Sequence, residues 1–100
     1  MSRYELAPSA AADLLEIVRH SRKTWGAARA QLYREELELA VQQLALSPAL
    51  GRNRDAIAPG FRSFPVAQHV ACYVERKGRI LILRVLHPRM NVEEAFEESG

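Results

Sequence analysis

The spacing of apolar residues changes along the chain, and each change marks an element. Tyr4-Glu5-Leu6 alternates and predicts a short strand. Pro8 then opens a helical segment as a favoured first-turn residue, with Ser9 as the side chain able to cap it. Ala11, Leu14, Leu15, Val18 and Trp25 recur at helical spacing, interleaved with Asp13, Glu16, Arg19 and Lys23. Gly26 interrupts this helix. A second helix places Leu32, Tyr33, Leu37, Ala40, Val41 and Leu44 on one stripe, with Arg34, Glu35, Glu38 and Gln42 outside. It stops at Ser47-Pro48, because the residue before proline avoids helical geometry. The short connection at Gly26 predicts an antiparallel helical hairpin.

Residues 48–60 (PALGRNRDAIAPG) are rich in turn formers and predict a loop. Beyond them the period becomes two. Phe61 to Phe64 begins a strand that Pro65 is expected to interrupt; His69–Arg76 is the next, and Arg79–Leu86 the last. Lys77-Gly78 is a tight hairpin turn, and Val92–Glu98 can form a short closing helix. The predicted fold is α+β: an N-terminal strand, an antiparallel helical hairpin packed on an antiparallel sheet (β-α-α-β-β-β), and a short C-terminal helix. Along the last strand, Ile80, Ile82, Arg84 and Leu86 share one face, and Leu81, Leu83, Val85 and His87 the other. The expectation is that Leu81 and Leu83 pack on the helices. The Ile80/Ile82 face then lacks a cover, and an uncovered apolar face implies a partner.

The totals narrow the class. One hundred residues with 48% hydrophobic content make a single domain, 1–100, with one modest core. The lone cysteine, Cys72, forbids an internal disulfide and fits a reducing compartment. The opening MSRYELAPS is too polar for a secretory signal, and Ile80–Leu83 is far short of the ~20 apolar residues that span a bilayer. A cytoplasmic protein without membrane contact is expected. Net charge is only +2, yet Arg52 to Arg89 holds eight basic residues against two acidic ones. Such a half suits an acidic protein or a nucleic acid.

Several segments then carry a resemblance. GFRSFPV (60–66), HVACYV (69–74) and ILRVLHPRM (82–90), preceded by YELAPSAAADLLEI, by Trp25-Gly26 and by SPALGRNRD, resemble the ParE toxins of the RelE/ParE superfamily in order and spacing across nearly the whole chain. The resemblance implies a RelE/ParE-like toxin of a toxin–antitoxin pair. It implies inhibition of DNA gyrase and growth arrest, neutralisation by a ParD-like antitoxin, contact with operator DNA only through that antitoxin, and a toxin–antitoxin hetero-oligomer. The RelE relatives instead imply a ribosome-dependent mRNA interferase. One departure is Ala7, where many members have serine before the helix proline; an absent cap side chain costs about 1 kcal/mol unless Ser9 replaces it.

The candidate residues follow from this pairing of readings. An interferase needs cations for the scissile phosphate and a group to take the 2′-hydroxyl proton. His87 would serve as acid or base, and Arg62, Arg84 and Arg89 would bind the anion. Where RelE-type members place an arginine on the HVACYV strand, this chain has Val70, which neither neutralises nor donates. That argues for a non-enzymatic inhibitor with no catalytic residue. The surface expected to contact antitoxin or target is then Arg62, Ile80, Ile82, Arg84, Leu86, His87 and Arg89. The alternative for His87 is that it caps the strand end with a hydrogen bond to a backbone carbonyl. Cys72 reads as core, and Trp25 as a core anchor at the helix junction. His20 and His69 lack ligand spacing, so neither metal nor cofactor is expected.

Overall fold

A computed structural model describes residues 4–97. The elements are β1 (Tyr4–Leu6), α1 (Pro8–Trp25), α2 (Ala27–Leu46), a single 3₁₀ turn (Pro48–Leu50), β2 (Arg52–Asn53), β3 (Arg62–Val66), β4 (His69–Arg76), β5 (Arg79–Leu86) and α3 (Val92–Glu97). The strands form one sheet in the order β1-β5-β4-β3-β2. Pairing is antiparallel except that β1 runs parallel to β5, with Leu6 opposite Ile82. The parallel pair is possible because the helical hairpin supplies the long crossover that parallel strands need.

The hairpin turns on one residue. Gly26, at φ 92°, ends α1 and starts α2; its N–H donates to the Arg22 carbonyl at 2.9 Å. A side chain there would be strained in this left-handed region. Arg22 and Lys23 lie in the last turn of α1, where cations favour the carbonyl end of the helix dipole. At the other end of α1, Ala7 offers no capping side chain. Ser9 does not replace it: its hydroxyl donates to the Leu83 carbonyl at 3.2 Å and stitches α1 to β5.

Three sequence expectations are corrected here. Pro65 does not interrupt β3, which runs through it opposite Val70. β2 pairs only with Arg62 and Ser63, so Pro65 lies where β3 is the sheet edge and its missing N–H costs no ladder bond. The loop 48–60 contributes the unexpected β2 and a compact turn in which the Asp55 carboxylate accepts from Gly60 N–H at 2.9 Å. The third correction concerns β5. Cys72 pairs with Arg84 but Tyr73 pairs with Ile82, so Leu83 is an extra residue, a β-bulge. The bulge shifts the alternation by one. Ile80, Ile82 and Val85 therefore share the core under the helices with Leu37, Leu44 and Tyr73, and Ile82 is fully buried there. Leu81 and Leu83 are only half-buried. The face assignment drawn from strict alternation is thus inverted at Ile80 and Ile82.

Nor is the second sheet face uncovered. Cys72 and Leu86 lie under Val92 and Ala95 of α3, with Ile57, Val70 and Phe96 at the margin. The Phe61 and Phe96 rings meet edge-to-face at 5.4 Å. Burial pushes the Cys72 thiol up to about 11, which keeps it protonated and supports its reading as core.

One buried tyrosine joins the loop to the sheet. The Tyr73 hydroxyl donates to the Pro48 carbonyl and accepts from Gly51 N–H at 2.9 Å. A β-carbon on Gly51 would sit 2.2 Å from that hydroxyl, so glycine is required by space. The β4–β5 turn has Lys77 at φ 52° and Gly78 at φ 75°, the two positive angles of a type I′ hairpin.

Candidate functional site

The polar residues singled out on β3 and β5 go to separate places. Arg84 reaches α1: its Nε donates to Asp13 Oδ2 at 2.8 Å and its terminal nitrogen to Oδ1 at 3.1 Å. The same carboxylate accepts Val85 N–H at 2.9 Å, at the edge of β5 beyond the end of β1. This two-pronged bond ties α1 to the sheet and occupies the guanidinium. Arg62 points to the opposite end of the sheet, where it donates to the Gly51 carbonyl at 2.9 Å and braces the 3₁₀ turn. Arg89 is exposed. Ile80, Ile82 and Leu86 are core residues rather than a contact surface, because the bulge and α3 place them inside. Trp25 is likewise corrected: it is more than half exposed, with the Arg29 guanidinium 5.5 Å from its ring.

His87 has company that its position in the sequence did not suggest. Its Nδ1 accepts the Arg89 N–H at 3.1 Å, so its local backbone partner is an amide and not the expected carbonyl. That bond leaves the neutral ring protonated on Nε2. His69 lies edge-on to it with ring centroids 6.0 Å apart. The Tyr33 hydroxyl sits between helix and hairpin: it accepts Gln68 N–H at 3.0 Å and shares a hydrogen bond of 2.6 Å with His69 Nδ1. Burial, and then the neighbouring His87, hold His69 below the ordinary histidine range. Burial raises the Tyr33 phenol in turn. These side chains line a cavity of about 420 Å³ together with Asp13, His20 and Trp25. No group of three or more His, Cys, Asp or Glu among the described residues is arranged to hold a metal. Sequence spacing could not bring Tyr33 and His69 together, since they meet only once the hairpin lies on the sheet.

A second cavity, of about 380 Å³, is apolar. It opens between β1, α1 and α2 and is lined by Leu6, Leu14, Leu15, Val18, Leu37 and Val41. Arg34 and Glu38 form an ion pair of 3.2 Å at its rim. β1 is the outer strand of the sheet on this side. An apolar groove beside a strand edge is the geometry that receives an extended or helical segment of another chain.

Fold and groove together define a small α+β domain with an apolar groove beside an outer strand of its sheet. Residues 4–92 match the family model described as the ParE toxin of the type II toxin–antitoxin system parDE. The chain belongs to that family. It is 41% identical over 93 residues to Toxin ParE1 of Mycobacterium tuberculosis, covering 92% of this chain and 95% of that protein. It is 36% identical to Toxin ParE1 of Caulobacter vibrioides, over 91% and 94% of the two chains. To Toxin ParE of Escherichia coli it is 31% identical, over 92% and 90%. A solved structure titled "Chromosomal ParDE TA system from P. aeruginosa" shares the fold, with a TM-score of 0.71 at 24% identity over 84% of this chain and 92% of that one. No helix among the described residues is long and apolar enough to cross a membrane.

Proposed function

We propose that this toxin inhibits DNA gyrase in the cytoplasm, without catalysis, and is neutralised by a ParD-like antitoxin that fills the apolar groove. The observation that carries the partner is the groove itself: Leu6 of β1 and Leu14, Leu15 and Val18 of α1 stay exposed or half-exposed beside an outer strand, over a floor that includes Leu37 and Val41. An amphipathic antitoxin segment would bury them, and the Arg34–Glu38 pair would orient it. Operator DNA is reached through the antitoxin in this reading, as part of a toxin–antitoxin hetero-oligomer. The non-enzymatic reading draws support from the arginines. Arg84 is committed to Asp13 and Arg62 to a backbone turn, which leaves Arg89 as the one proposed phosphate ligand beside His87.

A supercoiling assay tests the proposal. The purified chain should stop gyrase from supercoiling relaxed plasmid, and equimolar antitoxin should restore it. Undiminished supercoiling at a large excess of the chain would sink the gyrase target. The His69–His87 pair favours a second reading, mRNA cleavage with imidazole acid–base chemistry. Primer extension on transcripts after induction separates the two: new 5′ ends that vanish in His87→Ala would support cleavage, and intact transcripts would dismiss it.

A further inference from the structure

The helix α2 is apolar on two opposite faces. Its inner face packs Leu37, Val41, Leu44 and Ala45 into the core. Its outer face carries Leu32, Leu39 and Leu46, spaced by seven residues and exposed by 65%, 55% and 64%. Leu32, expected on the core stripe, belongs to this outer row. Seven residues are nearly two helical turns, so the three leucines stack in one line about 21 Å long. A solvent face of a surface helix is normally charged or polar, and a single continuous leucine row has no role inside the monomer. Glu35 and Gln42 flank the row on one side, Glu36 and Gln43 on the other.

We propose that this row is a two-fold contact between copies of the chain, with the α2 helices antiparallel and Leu39 on the axis. The argument is self-complementarity. With Leu39 opposite the partner's Leu39, Leu32 meets the partner's Leu46 and every leucine is matched. In the same register the two-fold brings like flanks together, so Glu35 meets the partner's Gln42 and Glu36 the partner's Gln43. Each carboxylate then faces an amide donor rather than another carboxylate. Such agreement at every position of one register is what an isologous interface requires. The row lies on the side of α2 away from the core, so dimer contact and an occupied groove are compatible. A single-helix contact of this length buries less than the ~800 Å² per partner of a standard interface, so the dimer is weak and reversible.

Sedimentation of the full chain, freed of antitoxin, from 1 to 200 μM tests this. The expected result is a mass rising from monomer toward dimer, and Leu39→Glu should hold it at monomer with an unchanged thermal midpoint. Gln42→Lys should tighten the dimer at least threefold by facing the partner's Glu35, whereas Gln42→Glu should loosen it. Oxidised Leu39→Cys should crosslink to itself; Leu32→Cys should crosslink only when mixed with Leu46→Cys. A monomer at every concentration would overturn the proposal. So would self-crosslinking of Leu32→Cys, which means a parallel pair. A monomeric chain whose Leu39→Glu variant loses antitoxin affinity would assign the row to the antitoxin instead.

Discussion

The two faces of the sheet are both apolar, yet they are closed in different ways. Among the described residues the helix side buries eleven, drawn from α1, α2 and the three strands β3, β4 and β5, with Tyr73, Leu37 and Ile82 at its centre. The other side buries four, and half of these come from the six-residue α3. An isolated helix that short is not stable in water, so α3 holds its shape only by its docking. The helix side is therefore where folding stability resides, and the α3 side is a cover that can open without loss of the fold.

Four changes test that contrast, taken from the largest effect downward. Ile82→Asp should prevent folding altogether, since it places a carboxylate at a fully buried site. Far-UV circular dichroism reads this directly, and a folded Ile82→Asp protein would disprove the bulge assignment. Asp13→Asn should cost about 1–3 kcal/mol in urea unfolding, because the Arg84 pair is mostly shielded and an amide replaces only part of it. Val92→Asp should cost about 1–2 kcal/mol and leave the fold in place. Its sharper readout is Cys72: the thiol, buried beneath α3, should react with a thiol reagent at least tenfold faster once the cover is loosened.

The smallest effect is a pH dependence at His69. Its folded pKa lies below the ordinary 6.5, so the unfolded chain takes up the proton first as pH falls. Stability should be level above about pH 7.5 and decline once pH drops through 6.5, flattening again below the folded pKa. Urea midpoints at pH 7.5 and 5.5 measure the decline. His69→Gln should reduce the difference between them, and an undiminished difference would place the titrating group elsewhere.

The sequence supported much of the fold because its strongest signals are local. Gly26 as a one-residue hinge, Pro48 behind Ser47, and Lys77-Gly78 as a hairpin turn each follow from backbone chemistry that neighbours do not alter. The contact residues were less legible. Arg62, Arg84 and His87 are conspicuous as polar groups in or beside apolar strands, but what each bonds to lies 11, 71 and 2 residues away respectively. Asp13 gave no signal of its own among the charged residues of α1. Leu32 was assigned to the wrong face of α2 because a helix apolar on both sides has no single phase to read.

By itself the sequence determined the order and most of the ends of the helices and of the three long strands, since periodicity and turn chemistry act within a few residues; β2 and the passage of β3 through Pro65 were not among them. Tertiary structure decided which way the faces point. One extra residue at Leu83 reverses the alternation of β5, and nothing in ILILRVL marks where the extra residue falls, because Leu83 is one of several like aliphatic residues in the run. It also decided that the second face is covered, because α3 reaches Cys72 and Leu86 only when the chain after β5 folds back across the sheet. Packing against a neighbouring element supplies that information, and a period counted along one strand does not contain it.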